Sequence, residues 1–318
     1  MNGLPKSLQL VAALLLLTAA SLPAVIVAGG DGTQNDTAPA SDQGWSYVGS
    51  VNYSDGSLNA SGIYLGQYGG SYWVLTANHV ASSGLGSYTL NGTTYGFVTG
   101  SGQRVGTLDL YVVQISITDP GDPLLSVSNL SLATSSPLLD TPLTMVGYGR
   151  NRAADLTTYY VNTSTNPYTW STTSSPNTTK FYGYQYASGN TKRWGSNTSE
   201  GTSTQSGTTY LVTDFDAVVG EAQAAIGDSG GGVFAYNSAT GQYELAGVMV
   251  SIIGYSGQTP VGQLPSNAVF GNQTYSIDIA TYRDDILSAV PEPSSLALLA
   301  AASLLLLLRK RRPAPQHR

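Results

Sequence analysis

A serine flanked by glycines and a single upstream histidine could together perform nucleophilic catalysis. Ser229 lies in residues 227–231 (GDSGG), and His79 ends residues 76–79 (TANH). A serine hydroxyl is a weak nucleophile until an adjacent base removes its proton, and imidazole can do this near neutral pH. The only other histidine, His317, lies in a basic C-terminal tail. His79 is therefore the base that this sequence offers to Ser229.

The imidazole also needs a carboxylate that holds its tautomer and compensates its charge. Asp109 is the candidate, because it lies in the apolar segment 108–113 (LDLYVV), where an acid without a partner is costly. Asp214 and Asp216 are alternatives, but they lie farther from the histidine and match no motif. Taken singly, the serine, the histidine and the acid each have an ordinary structural explanation. Their order along the chain and the intact motifs favour catalysis.

The glycines around the serine have a second chemical use. The main-chain N–H groups of Gly227 and Ser229 would have to face the oxyanion that develops during acyl transfer, a geometry that favours residues without Cβ. Such donors typically lower the barrier by about 2.7–4 kcal/mol each. We therefore predict an oxyanion hole formed by these two amides.

The two motifs and their order resemble the trypsin/chymotrypsin-like serine peptidase family. The resemblance implies hydrolysis of peptide bonds through an acyl-enzyme intermediate, with His79 as base, Asp109 as the orienting acid and Ser229 as nucleophile. It further implies an all-β fold of two antiparallel six-stranded β-barrels with a short C-terminal helix and the active site between the barrels. A protein or peptide is then the substrate, and no cofactor is expected.

The same resemblance implies a substrate pocket with Gln223 at its floor and Ser251 and Ile253 in its wall. An uncharged floor and a β-branched wall favour a small or medium apolar residue over Lys or Arg. The exact Ile-Val-Gly-Gly start, whose new amine pairs with the acid of the GDSGG motif in relatives, is not present in the chain. Asp228 is therefore expected to need another partner, either an N-terminus released near Gly29 or main-chain amides.

Short segments rich in Val, Ile and Tyr, separated by Gly, Ser and Asn, predict an all-β protein, and periodicity alone leaves sandwich and barrel open. The resemblance divides the chain into an N-terminal barrel at 44–140 and a C-terminal barrel at 141–288. A polar insertion at about 151–209 is predicted to form surface loops. Residues 29–43 are predicted to be a loose leading segment, and residues 279–288 a helix.

Both ends of the chain are typical of export. Residues 1–28 combine Lys6, an apolar run and small residues, as in a signal peptide, with a membrane anchor as the alternative. Residues 290–318 join a VPEP sequence, an apolar span and a basic tail, and they resemble the PEP-CTERM sorting signal. That resemblance implies transient membrane insertion, an exosortase-type transpeptidase as partner, and delivery to the cell surface or extracellular matrix of a Gram-negative bacterium. A simple C-terminal anchor is the alternative.

Composition excludes several classes of function. The formal net charge is −6, and six of the thirteen basic residues lie in the two ends, so a nucleic-acid partner is not expected. With no cysteine and one usable histidine, no metal site is predicted, and only carboxylates could hold a structural Ca²⁺. Two other functions stay open. One is a non-catalytic matrix or adhesion protein that uses 151–209 as its binding surface, and the other is an esterase with the same three residues.

Overall fold

The protein consists of two curled β-sheets packed against each other, which confirms the predicted fold class. The computed structural model describes residues 25–57, 59–254, 263 and 266–290. In chain order the elements are β1 (Ile26–Val27), β2 (Val48–Tyr53), β3 (Asn59–Tyr68), β4 (Ser71–Thr76), α1 (Asn78–Ser82), β5 (Leu85–Leu90), β6 (Thr93–Gly96), β7 (Gln103–Arg104), β8 (Tyr111–Ile115), β9 (Pro142–Gly147), β10 (Arg150–Arg152), β11 (Thr157–Asn162), β12 (Thr169–Ser171), β13 (Thr179–Asn190), β14 (Arg193–Thr198), β15 (Thr202–Gln205), β16 (Thr208–Asp214), β17 (Ala222–Gln223), β18 (Gly232–Asn237), β19 (Gln242–Ile253), β20 (Asn267–Val269), β21 (Gln273–Asp278) and α2 (Ile279–Ala289).

The first sheet contains seven strands in the order β6-β5-β2-β3-β4-β8-β7. It curls round because the chain beyond β6 returns to β8, where Phe97 pairs with Ile115 and the Val98 N–H donates to the Gln114 carbonyl at 2.9 Å. Its interior is filled by alternating inward side chains such as Val74 and Tyr88, both fully buried. The sheet has one strand more than predicted, and the added strand, β7, is only two residues long.

The second sheet also has seven strands, in the order β14-β9-β18-β19-β21-β16-β15. The segment after β16 closes it, since Ser196 of β14 forms a bridge to Glu221. One continuous apolar cluster joins the sheets, with Val48 and Leu75 from the first and Phe234 and Val248 from the second. This packing fixes the two sheets relative to each other, and the cleft between them holds the predicted catalytic residues.

Much of the insertion at 151–209 is ordered sheet, so the prediction of surface loops was wrong there. Strands β10 to β13 and β20 form a separate sheet, and β14 is an edge strand of the second barrel. The separate sheet has its own small core of Tyr159, Val161, Trp170 and Val269. Its aromatic residues are spaced among Thr and Ser, which hides the alternation in the sequence.

The leading segment at 29–43 has no regular secondary structure, but it is held against the second barrel. The Trp194 indole N–H donates to the Thr37 carbonyl at 3.0 Å, and the Thr144 hydroxyl donates to the Gln43 side chain at 2.7 Å. Before it, β1 pairs antiparallel with β17. The chain from Val25 onward is therefore part of the folded body, including four residues that the sequence assigned to the leader.

The C-terminal helix lies where it was predicted and covers Ile279–Ala289. Asp278 caps it, accepting hydrogen bonds from the Thr281 N–H at 3.0 Å and the Thr281 hydroxyl at 2.6 Å. Within the described part of the chain, neither helix has the length and apolar character needed to cross a membrane. The apolar span of the predicted sorting signal lies outside the described residues, as does most of the predicted signal peptide.

Candidate active site

The short helix α1 presents His79 to the cleft. Thr76 ends β4, and the extended backbone of Ala77 turns the chain into the helix, so that His79 is its second residue. The ring Nδ1 lies 2.7 Å from Oδ2 of Asp109, and the main-chain N–H of His79 donates to Oδ1 at 2.8 Å. An ionised carboxylate only accepts hydrogen bonds, so Nδ1 carries the proton and Nε2 is left as the free base. The structure thus brings this predicted pair together.

Asp109 was predicted to lie in a strand, but it lies in a turn, two residues before β8 begins. Its neighbours Leu108 and Leu110 are buried and fix the turn in the core. Burial alone would raise the pKa of Asp109, but the hydrogen bonds from His79 and the charge of Arg104 outweigh it and lower that pKa. Arg104 also holds the turn, since its Nε donates to the Leu108 carbonyl at 2.6 Å. This role of Arg104 was not predicted, because no motif marks it.

The rival acids lie elsewhere. Asp214 accepts a hydrogen bond from the Gln273 amide at 2.7 Å, and Asp216 is hydrogen-bonded through its main chain to Glu221 at 2.8 Å. Neither contacts His79 in the described structure, and no cluster of three metal-binding side chains is found among the described residues.

Ser229 follows a tight turn whose glycines are required by geometry. Gly227 and Gly230 have φ of 97° and 84°, in the left-handed region that favours glycine. A Cβ on Gly230 would lie 2.3 Å from both the Ser61 carbonyl oxygen and the Thr76 hydroxyl. The nucleophile turn therefore presses directly on the first barrel, next to the segment that carries His79.

Ser61 of β3 holds the main chain on both sides of the nucleophile. Its N–H donates to the Ser229 carbonyl at 3.0 Å, and its hydroxyl donates to the Gly227 carbonyl at 2.9 Å. The same hydroxyl accepts the Tyr148 N–H at 2.8 Å. These two bonds hold the peptide units that directly follow Gly227 and Ser229, the two residues of the predicted oxyanion hole. Ser61 was not predicted, because a serine in a strand has no distinguishing pattern.

Asp228 is fully buried beneath the nucleophile turn. Burial raises its pKa to about 7, although N–H groups of Ala225, Gly149 and Val25 act in the opposite direction. The Ala225 N–H donates to Oδ2 at 2.7 Å, whereas Oδ1 has no hydrogen bond of good geometry within the described residues. A buried carboxylate in this state favours its neutral form unless a cation reaches it.

The N-terminal segment reaches that carboxylate. Val25, Ile26, Val27 and Ala28 are at most 4% exposed, and the Val25 main-chain N–H is one of the groups that act on Asp228. The Ala28 N–H donates to the Glu221 carbonyl at 2.8 Å, continuing the pairing of β1 with β17. Of the two partners expected for Asp228, the structure therefore shows main-chain amides, and one of them, that of Val25, lies four residues before Gly29.

A cleft of about 250 Å³ contains both His79 and Ser229 and is walled mainly by apolar side chains. The other lining residues are Tyr53, Ala60, Ala224, Ala225, Ile226, Gly227, Met249, Val250, Ser251 and Ile252. Ser251 lines it as predicted. Gln223 and Ile253 do not line it: Gln223 is fully buried in β17 beside β1, and Ile252 takes the wall position predicted for Ile253. Ile253 is the last residue of β19 and lies one residue beyond the part of the strand that lines the cleft.

Comparisons with known proteins show which family the sequence matches. The sequence model described as Trypsin matches residues 34–266, and that of the PEP-CTERM protein-sorting motif matches residues 289–312. Among solved structures, a mutant of human heparin binding protein has 14% identity and a TM-score of 0.47, covering 81% of this chain and 97% of its own. Neuropsin, a serine protease expressed in the limbic system of mouse brain, has 13% identity and a TM-score of 0.47, and the match covers 81% of this chain and 98% of neuropsin. No curated protein sequence matches the chain.

Proposed function

Because the chain belongs to the trypsin family, we propose that it is an exported serine endopeptidase that cleaves peptide bonds through an acyl-enzyme. The observation that carries the proposal is the double contact of Asp109 with His79, at 2.7 Å to the ring and 2.8 Å to the main chain, beside a cleft shared with Ser229. A structural acid–histidine pair needs neither the free Nε2 nor a glycine-framed serine in the same cleft.

In this mechanism the Ser229 hydroxyl oxygen attacks the substrate carbonyl carbon while His79 Nε2 takes its proton. The resulting oxyanion accepts hydrogen bonds from the Gly227 and Ser229 N–H groups. The imidazolium then gives its proton to the leaving amine as the C–N bond breaks. Water, deprotonated by the same imidazole, attacks the acyl-enzyme and releases the acid, restoring Ser229. Asp109 stays ionised throughout and stabilises the imidazolium.

The cleft supports a preference for a small or medium apolar residue on the acyl side of the cut. Ala224 and Ala225 leave space next to the serine, and Met249 and Ile252 provide an apolar wall. Among the described residues that line the cleft, only His79 and Tyr53 are titratable, so a Lys or Arg side chain would meet no carboxylate from this part of the chain. Cleavage after Ala or Val is therefore expected to exceed cleavage after Lys.

We further propose that the leader ends at Ala24, so that the processed chain begins at Val25. Ala24 supplies the small residue that leader cleavage requires just before the cut. The new α-ammonium group would stand where the Val25 N–H now acts on Asp228, and would provide the cation that this buried carboxylate lacks. This boundary replaces the predicted cut after Ala28, which would remove β1.

The sorting motif at 289–312 directly follows α2, and it supports delivery to the cell surface after export. An exosortase-type enzyme is the partner that this motif implies. The peptidase body at 25–290 would then act outside the cell, on proteins or peptides of that surface.

The test is labelling of the exported, processed protein with a fluorophosphonate, followed by cleavage of peptide amides that differ only at the acyl-side residue. We expect wild type to label and Ser229→Ala and His79→Ala to fail. Asp109→Asn is expected to label very slowly, and Asp214→Asn, the matched control at a rival acid, to label like wild type. Cleavage of esters but no amides would favour an esterase, and a folded wild type that never labels would contradict the proposal and favour the binding protein.

A further inference from the structure

Arg152 is a buried cation whose guanidinium donates hydrogen bonds to main-chain carbonyls. Its residue is 1% exposed, and no carboxylate lies within ion-pair distance of it in the described structure. The guanidinium plane instead covers the Tyr184 ring, 4.0 Å from its centre. Burying a charge in this way is costly unless every donor is used. The positions of its acceptors therefore indicate what the residue is for.

Three of those acceptors lie at the end of β1 and in the residues just after it. Nε donates to the Val27 carbonyl at 3.0 Å, and Nη2 donates to the carbonyls of Gly29 and, at 3.1 Å, Gly30. Both glycines have positive φ, 78° and 59°, which turns their carbonyls toward the guanidinium. Nη1 donates the remaining two bonds, to the carbonyl of Ala153 at 2.7 Å and to that of Ala154 at 2.9 Å.

Tyr184 holds the same N-terminal segment as Arg152, and we call these two residues the clamp. Its hydroxyl accepts the Gly29 N–H at 2.8 Å, while its ring supports the guanidinium. The clamp is formed by elements of the separate sheet, since Arg152 ends β10 and Tyr184 lies in β13. The separate sheet thus binds the N-terminal segment through hydrogen bonds, so the sheet helps to position that segment.

The clamped segment leads directly to the catalytic turn by two routes. Val25, two residues before the first clamped carbonyl, acts on the Asp228 carboxylate. Strand β17, which pairs with β1, continues through Ala224 and Ala225 into the turn that carries Gly227 and Ser229. Because the segment is extended at about 3.3 Å per residue, the grip on Val27 limits how far Val25 can move from Asp228.

We propose that Arg152 is a positioning residue of the reaction: by holding the carbonyls of Val27, Gly29 and Gly30 it keeps the N-terminus seated at Asp228 and the oxyanion amides in place. This inference rests on the proposed peptidase function. Molecules with an unseated segment would lack the oxyanion donors and turn over little substrate. Loss of the clamp therefore lowers the fraction of competent molecules, and so kcat, while the competent fraction keeps its KM.

The experiment compares Arg152→Met and Arg152→Lys with Arg193→Met in the exported, processed protein. Arg193 is the matched control, because it is equally buried and also donates to a carbonyl of the leading segment, but at Gln34, beyond the clamped stretch. The readouts are kcat and KM for one peptide amide, and hydrogen exchange of the peptide at 25–30, which contains the bonded N–H groups of Ala28 and Gly29.

We expect Arg152→Met to lower kcat about tenfold or more with KM within twofold, since losing one hydrogen bond to a charged group suffices for such a shift. Exchange at 25–30 should accelerate by a similar factor. Arg152→Lys should recover part of both, and Arg193→Met should leave kcat within twofold. Unchanged kcat and exchange in Arg152→Met, or equal kcat losses in both Met variants, would overturn the proposal.

Two further outcomes are covered by the same design. If Arg152→Met does not fold, Tyr184→Phe removes only the acceptor of the Gly29 N–H, and unchanged exchange at 25–30 in that variant counts against the clamp. If wild type shows no turnover, the peptidase function fails, and the exchange comparison alone decides whether Arg152 seats the segment.

Discussion

The buried carboxylate of Asp228 gives a sharp prediction about the N-terminus. Two chains are compared, one that begins at Val25 and one that retains Pro23 and Ala24 ahead of it. In the longer chain Val25 offers only an amide N–H, and burial raises the pKa of Asp228 from 3.8 to about 7. In the shorter chain an α-ammonium group stands at the same place and favours the ionised carboxylate. The stability of the longer chain should therefore depend on pH in a range where that of the shorter chain does not.

The sign follows from proton binding. A carboxyl group whose pKa is raised on folding binds more protons in the folded state, so its contribution to stability is present at low pH and is lost as pH rises through the folded value. For Asp228 that window runs from 3.8 to about 7, and at about 1.4 kcal/mol per pH unit the loss in the longer chain is about 4 kcal/mol. The shorter chain should lose little or none of this in the same window.

The assay is the free energy of unfolding in urea for both chains between pH 4 and pH 7. The informative quantity is the difference between the two pH profiles, because Glu221, whose pKa burial also raises to about 7, contributes to both. Asp228→Asn in the longer chain is the control and should flatten its excess slope. Parallel profiles for the two chains would contradict an ammonium partner for Asp228 in the shorter chain. An excess slope that survives Asp228→Asn would show that another group causes the pH dependence.

Three further predictions concern the catalytic cleft. Asp109→Asn should lower kcat by about 10⁴-fold, as expected when the imidazole loses its orienting carboxylate, with Asp214→Asn unchanged in the same peptide assay. Gly230→Ala should abolish fluorophosphonate labelling, because its Cβ would collide with β3 and β4. Gly207→Ala is the control: Gly207 has a similar positive φ, but a Cβ there would meet no other atom, so the variant should lose some stability and still label. Ser61→Ala should lower kcat about tenfold without raising KM, because it frees a carbonyl and an N–H beside the nucleophile. Retention of wild-type kcat in this last variant would show that the Ser61 N–H alone holds the turn.

The predicted fold class and the family came from motifs that local chemistry constrains. Residues around Ser229 must be glycine because the turn has positive φ and touches the first barrel, so the motif survives in the sequence as a readable pattern. The pairing of Asp109 with His79 was predictable for a related reason, since an acid between two buried leucines needs a partner. Such signals are local, and sequence reasoning recovers them.

Other parts of the site depend on contacts between residues far apart in the chain. Ser61 acts on residues more than 160 positions away, and Arg152 acts on carbonyls more than 120 positions earlier. Main-chain carbonyls have no residue type, so a side chain that binds them leaves no motif. The error at Ile253 has another origin, because the cleft lining of β19 ends at Ile252, and where a lining ends depends on the facing elements and not on the residue types of the strand.

We propose an N-terminal boundary different from the predicted one because one short apolar stretch satisfies two patterns. Residues 25–28 (VIVA) continue the apolar run of a leader and end in a small residue, and they also form a buried strand. Structure separates the two interpretations. A chain that began at Gly29 would leave β17 without its partner strand, Arg152 without the Val27 carbonyl, and Asp228 without the Val25 N–H. All three losses fall on buried polar groups, and each alone costs about 1–3 kcal/mol. N-terminal sequencing of the exported protein should therefore begin at Val25, and a start at Gly29 would require that Asp228 find its cation in another part of the chain.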